Sequence, residues 1–320
     1  MGVLSRSTML TSWPRGNRVA LDRAPEYPAF REVSMDDRDW ITRLFDQYPT
    51  EISERTFGSI FIWRDYEDRS LLSRFEDHLL ISWRKEKFGR MILAPVGPGP
   101  AEVIQKLTSP ALLPVLAFNG VFGIVEPLAA DLRPKGFNPQ SVRDEWDYIY
   151  LKDDLVKLVG PKYHTQRKEM KKAASSLKRE YLPMSSELRD QCLELQETWC
   201  DIKHCTNDNL SEAEDVALKE ALLNYDSLGF IGGVVTVDGK VQALSIGEKL
   251  NSETAVVHFE KANPDMRGLY QVINQQFCEH ALEGFKFVNR EQDVGEPGLR
   301  RAKEGYHPHH FVEKQILPFK

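Results

Sequence analysis

The chain has 320 residues and a formal net charge of −6, with 41% hydrophobic, 10% aromatic and 28% charged residues. That length exceeds what one hydrophobic core usually serves, so two domains are expected, and the composition excludes the disordered and collagen-like classes. The acidic balance excludes a protein that coats nucleic acid through many phosphate-neutralising cations, and with no run of about 18 apolar residues and no signal-peptide pattern a cytoplasmic protein without integral membrane insertion is expected.

Residues 1–25 mix Arg, Ser, Pro and Gly without periodicity and read as an extended or disordered lead-in. A strand at 30–33 then precedes a helix capped by Ser34 or Asp36, with Trp40, Ile41, Leu44 and Phe45 on one face. A second helix is expected at 54–63, followed by strands at 70–75, 78–83 and 89–96, the last ending at the turn residues 97–100. Next come a helix near 101–107, a strand at 114–118, a helix at 125–132 and a strand at 147–151.

The second half repeats this order without letter identity. A basic helix is expected over 161–180, then a strand at 181–184 and a helix with Leu188, Cys192, Leu195, Trp199 and Ile202 at helical spacing. A further helix holds Val216, Ala217, Leu222 and Leu223. Strands at 230–237, 240–247 and 253–260 follow, with Asp238-Gly239 as a tight hairpin turn. A helix over 267–282 puts Leu269, Val272, Ile273, Phe277 and Ala281 on its buried side, and a strand at 285–290, a short helix at 298–304 and a strand at 311–317 complete the unit. Two copies of one plan predict tandem domains, 26–155 and 156–320, in an α/β (α+β) chain. Cys192, Cys200, Cys205 and Cys278 show no paired spacing and read as free, mostly buried thiols, with no metal site.

This element order resembles that of the GNAT acyltransferases, whose sheets are mixed and mostly antiparallel and whose fourth and fifth strands splay apart. The resemblance implies that the helix after the fourth strand starts with N–H groups able to hold a donor phosphate. Here that stretch is 263–270, with Arg267 and Gly268 at the turn, a sequence that equally makes an ordinary helix start. The strings at 145–172, 267–277 and 288–308 resemble the bacterial phosphatidylglycerol lysyltransferase C-terminal-domain-like family, which has two tandem GNAT lobes, and the likeness runs from Phe30 to Leu317. Better-known members of that superfamily move an amino acid from aminoacyl-tRNA to a lipid or small acceptor. Lysyl transfer to phosphatidylglycerol itself carries over less well than the fold, because no membrane-spanning half is present.

The resemblance implies a direct transfer of an acyl or aminoacyl group, from aminoacyl-tRNA or an acyl-CoA, to an amine or hydroxyl of a small-molecule or lipid-headgroup acceptor. An acetyl-CoA-dependent N-acetyltransferase and a non-catalytic ligand-binding protein on the same fold are the alternatives. His258 and Glu260, two apart on the fourth strand, share a face in a regular strand and are candidates to take a proton. Asn289, Arg290, Glu291 and Asp293 crowd the end of the fifth strand as candidate substrate contacts, and Tyr306 is the candidate for protonating the leaving group, by likeness to GNAT enzymes. Lys168, Lys171 and Lys172 give the basic helix a positive stripe that suits tRNA or an anionic surface, or serves as a solvated connector.

Overall fold

The computed structural model describes residues 21–65, 69–85, 87–109, 112, 118–203 and 209–319. In the first half, β1 (Arg31–Glu32) leads through a short turn into α1 (Arg38–Gln47). The Asp37 carboxylate accepts the Ser34 N–H at 2.9 Å, so Ser34 caps the short turn Met35–Asp37 that runs into α1, and Trp40, Ile41, Leu44 and Phe45 are all buried, the face that the spacing predicts. Thr56 caps α2 (Phe57–Ile62) by accepting the Ser59 N–H at 3.1 Å. Then come β2 (Leu71–Phe75), β3 (His78–Lys85), β4 (Gly89–Leu93), α3 (Pro100–Leu107), β5 (Gly120–Ile124), α4 (Glu126–Leu132) and β6 (Gln140–Ser141). The strand expected at 114–118 lies, except for Phe118, outside the described residues, and β5 takes the fifth position. Glycine hid it from a β-propensity reading: a Cβ on Gly120 would sit 2.3 Å from the Leu317 carbonyl oxygen, so only glycine lets the neighbouring strand lie that close.

The second half runs β7 (Asp147–Leu151), α5 (Lys152–Lys157), α6 (His164–Ser176), β8 (Arg179–Pro183), α7 (Ser186–Lys203), α8 (Asn209–Leu223) and α9 (Tyr225–Leu228). It continues with β9 (Ile231–Val237), β10 (Lys240–Lys249), β11 (Thr254–Ala262), α10 (Leu269–His280), β12 (Phe287–Asn289), α11 (Pro297–Glu304), β13 (His310–Val312) and β14 (Gln315–Pro318). The basic helix stops at Ser176, so Arg179 and Glu180 sit on a strand instead of extending the helix. Asp238 and Gly239 both have positive φ, 50° and 79°, the geometry of the tight hairpin their sequence predicts. Cys192 and Cys278 are free and buried, but Cys200 is disulfide-bonded, which corrects the expectation of free thiols; Cys205 lies outside the described residues.

Two seven-stranded sheets result, ordered β1-β2-β3-β4-β5-β14-β6 and β8-β9-β10-β11-β12-β7-β13. Each contains one parallel pair, β4 with β5 and β11 with β12, and is otherwise antiparallel. The two sheets exchange their sixth strands. β7, next in sequence after the first sheet, inserts between β12 and β13, whereas β14 returns to fill the gap between β5 and β6. A cut at 155/156 therefore leaves one strand of each sheet on the other side, and the single strand expected at 311–317 is two strands in two sheets, parted at Glu313 and Lys314.

One apolar core runs through both halves. Trp40, Ile41, Phe57 and Phe61 from the first pack with Leu218, Leu222, Phe230, Ile246 and Phe259 from the second, and Trp63 stacks on Phe259 with ring centroids 6.5 Å apart. Burying each such side chain contributes ~1.5–3 kcal/mol, so the lobes are fused by the same force that folds each one.

Candidate functional site: a laced wedge between two strands

β11 and β12 pair in parallel only through Thr254–Phe287, Ala255–Val288 and Val256–Asn289. Beyond this, β11 continues from Val257 to Ala262 alone on that edge, while the chain after β12 turns away through residues 290–296. The backbone thus opens the splay that the likeness to GNAT acyltransferases implies. Side chains cross it.

The register of β11 against β10 shifts here: Phe259 lies opposite Ile246 and Val257 opposite Gly247, leaving His258 as the extra residue of a bulge. The bulge breaks the alternation, so His258 and Glu260 do not share a face, contrary to the expectation from strand spacing. His258 packs beside Phe230 and Phe259 on the side of the inter-lobe core, whereas Glu260 reaches Asn274 on α10.

His258 is fully buried and spans two carboxylates, Nδ1 to Glu291 at 2.7 Å and Nε2 to Glu248 at 2.8 Å. Burial works against its charge, but the hydrogen bonds and charges of Glu248 and Glu291 outweigh it and lift the imidazole to about 9. With both ring nitrogens donating, the ring is an imidazolium at neutral pH and has no lone pair with which to take a proton. On the other face, the Glu260 carboxylate accepts from Asn274 Nδ2 at 2.8 Å and from Arg290 Nη2 at 2.9 Å. Two ion pairs, His258–Glu291 and Glu260–Arg290, therefore bridge the wedge on opposite sides of the sheet.

Arg290 lies over Tyr306 at 4.8 Å and near Tyr150 at 5.5 Å. Its Nη1 is buried without a hydrogen-bond partner among the described residues. The Tyr306 hydroxyl likewise has no hydrogen bond to a described residue, and burial pushes its ionisation well up, so it stays a proton-bearing phenol. Asn289 and Asp293 are placed differently. Asn289 is buried, donating to the Glu51 carbonyl and Asp147 while accepting the Glu291 N–H at 2.7 Å. Buried Asp293 accepts from Tyr148, Arg143, Arg300 and the Gly295 N–H; burial alone raises its pKa, and these partners more than reverse that, holding it well below the carboxylate range. Both have their hydrogen-bonding capacity committed to shaping the loop.

Beneath Asn289 lies a buried cluster that joins the lobes. Lys314 Nζ donates to Asp147 at 2.8 Å and to Glu54 at 2.9 Å, Ser53 donates to Asp147 through its N–H and hydroxyl, and Lys85 meets Glu145 at 2.7 Å. Burial pulls the Lys314 ammonium toward neutrality, but Asp147 and Glu54 more than reverse this and raise it. Neither Lys314 nor Glu248 stood out in the sequence; a charged residue ending an apolar strand was the available signal for Glu248.

The seat expected for a donor phosphate is covered. Gly268 has φ 87°, and a Cβ there would lie 2.2 Å from the Glu169 carbonyl oxygen, so glycine admits α6 against the start of α10. Arg267 is exposed but paired with Glu169 at 2.5 Å, and Glu169 is held down at about 2 by Arg267 and then Lys172. Of the stripe on α6, Lys172 bonds Glu169 at 3.1 Å, whereas Lys168 and Lys171 are exposed and have no carboxylate partner among the described residues. The start of α6 touches the wedge: Tyr163 donates its hydroxyl to the Tyr306 carbonyl at 3.1 Å and Gln166 donates to the Gly305 carbonyl at 2.6 Å.

The sequence of residues 45–317 matches the family model described as phosphatidylglycerol lysyltransferase, C-terminal. The chain belongs to that family. No curated protein matches the sequence significantly. Among solved structures, a conserved protein of unknown function from Bacteroides thetaiotaomicron VPI-5482 is 31% identical with TM-score 0.82, over 91% of this chain and 99% of that one. The C-terminal domain of a candidate lysylphosphatidylglycerol synthetase from Agrobacterium fabrum is 13% identical with TM-score 0.61, covering 95% and 93%. L-PGS from Bacillus licheniformis is 11% identical with TM-score 0.59, covering 88% and 90%. These last two share the fold, and the architecture is that of two tandem GNAT-like lobes. Among the described residues no helix of this family member is long and apolar enough to cross a membrane.

Proposed function

We propose that the protein is an aminoacyltransferase that moves an amino acid from aminoacyl-tRNA directly to an amine or hydroxyl acceptor at the wedge of the second lobe. The observation that carries this reading is the buried Arg290, fixed by Glu260 on one nitrogen and without a partner on the other among the described residues, lying over the ring of Tyr306, whose hydroxyl has no hydrogen bond to a described residue. In the proposed reaction the acceptor attacks the ester carbonyl, Arg290 Nη1 donates to the oxygen as it becomes an oxyanion, and Glu260 takes the acceptor's proton on a free lone pair. The tetrahedral adduct then expels the ribose hydroxyl, which Tyr306 protonates, and the proton on Glu260 restores the phenol. His258 has a structural part in this scheme, as the cation between Glu248 and Glu291.

Family membership supports the transferase class, and the family's description as a phosphatidylglycerol lysyltransferase supports an aminoacyl donor. The close packing of α6 on the start of α10, with the Glu169 backbone carbonyl against Gly268, argues against an acyl-CoA donor, because it covers the helix start that would otherwise attract the phosphates. Lys168 and Lys171, on a helix whose first turns abut Tyr306, suit the tRNA backbone.

The test is protein-dependent release of labelled amino acid from a mixed aminoacyl-tRNA pool in the presence of cell-extract small molecules and lipids. Turnover by the wild type that falls at least 100-fold in Tyr306→Phe and Arg290→Gln is the expected result; release that is absent, or unaffected by both substitutions, overturns the reading. Calorimetry with acetyl-CoA should give no heat.

A further inference from the structure

Lys303 projects from α11 beneath the loop that walls the wedge, and it is buried, with 8% exposure. Its ammonium donates to the Arg290 carbonyl at 2.6 Å and to the Gln292 carbonyl. Among the described residues no carboxylate comes within ion-pair distance of it, which is unusual, since a buried lysine ordinarily has a counter-charge to offset its desolvation. Its two acceptors flank Glu291, a non-glycine residue at φ 55°, in the left-handed region that L-residues seldom occupy.

That backbone turn decides where the two neighbouring side chains go. With Glu291 left-handed, Arg290 crosses to Glu260 on one face and Glu291 crosses to His258 on the other. The remaining ties on this stretch, Arg290 N–H to Tyr148 O, Tyr148 N–H to Glu291 O and Glu291 N–H to Asn289, do not engage the two carbonyls that Lys303 holds.

We infer that Lys303 is a positioning residue for the wedge, holding Glu291 in its strained turn so that both ion pairs span the two strands, at a net cost to the stability of the fold. This rests on the wedge being the reaction site. Burial pushes the Lys303 amine down to about 8, because the charges of Glu291, Asp147 and Asp293, none of them in ion-pair contact, only partly offset its desolvation.

The test is Lys303→Met, which keeps the apolar stem and removes the donors. The melting temperature should equal or exceed that of the wild type, while amide exchange at 289–293 and at Tyr148 quickens at least tenfold and amino-acid release falls at least tenfold. A lysine with only a structural role would instead lower melting temperature and turnover together, with exchange raised throughout, and that pattern overturns the inference. Unchanged exchange at 289–293 overturns it as well. In a Glu291→Gly background, where the backbone needs no restraint at that φ, Lys303→Met should alter exchange less than twofold; an undiminished effect breaks the link between lysine and turn. Failure to fold in either background makes the residue structural and ends the proposal. If the wild type releases no amino acid, the transferase reading fails by itself, and exchange with melting temperature still decides what Lys303 does.

Discussion

The two lobes build the same parallel strand pair and fill it with opposite chemistry. In the first, Met91, Ile92 and Leu93 of β4 run beside Gly120, Val121 and Phe122 of β5, and the chain beyond closes with Ala94, Val96 and Ile104, all buried and apolar. In the second, the equivalent opening between β11 and β12 holds an imidazolium, a guanidinium and their carboxylates. An apolar filling contributes stability from burial alone, whereas a filling of paired charges roughly breaks even and leaves polar atoms in reach of a reactant. The comparison teaches that a repeated fold can assign apolar packing to one copy and paired charges to the other.

The strongest test of that contrast sets a substitution in each lobe side by side. Arg290→Gln should cut amino-acid release 100-fold or more, in line with the loss of an oxyanion donor. Ile92→Ala, at the base of the first lobe's pair, should cost ~2–5 kcal/mol in denaturant unfolding yet leave release per folded molecule unchanged. Equal loss of release in both would erase the distinction.

Removal of the charge that joins the lobes comes next. Lys314→Met leaves Asp147 buried without its cation, and Glu54 with only Lys85 at 3.8 Å, and is expected to cost ~3–5 kcal/mol, read as one cooperative transition moved to lower denaturant. Two separate transitions would mean that the lobes unfold independently.

pH dependence separates two buried cations within the wedge. The His258 imidazole is raised from 6.5 to about 9, so its contribution is fully present below pH 6.5 and is lost as pH rises through 9, amounting to ~3 kcal/mol between wild type and His258→Gln. Lys303 runs the other way. Its amine is lowered from 10.5 to about 8, so the unfolded chain binds the extra proton between those values and stability contributed by this group rises with pH there. Urea titrations of each variant across pH 6 to 10 should give difference curves of opposite slope; slopes of the same sign would contradict the charge states described.

The smallest effect belongs to the exposed stripe. Lys168→Glu with Lys171→Glu should weaken tRNA binding about tenfold at low salt and flatten its salt dependence, with Lys172→Glu adding little because Lys172 already faces Glu169. Filter binding at two salt concentrations is sufficient to read this.

What could be read in advance was whatever short-range pattern controls. The buried face of α1, the apolar side of α10 and the Asp238-Gly239 turn all follow from spacing and turn chemistry within a few residues, and the density of polar groups at 289–293 did mark the wedge. The bulge at His258 was not legible, because it is defined by the register of β10 opposite and not by β11. Glu248, Lys303 and Lys314 were hidden for a related reason: each looks like an ordinary surface charge until a partner outside its own element is in place, His258 for Glu248, the Arg290 and Gln292 carbonyls for Lys303 and, far along the chain, Asp147 for Lys314. Asn274 did leave a trace, as a polar residue among Ile273, Phe277 and Cys278 on the inward side of α10.

The traded sixth strands have a bearing on biosynthesis. A ribosome delivers β1 to β6 long before β14, so the nascent first lobe waits with a vacant slot between β5 and β6 until the whole second lobe has emerged. Its unpaired edges are exposed for that interval, whereas β7, made before the rest of the second sheet, is already in place when its neighbours emerge. Maturation then becomes a single late event in which β14 docks, making the stretch just before it, where Lys314 sits, the latch of the entire molecule.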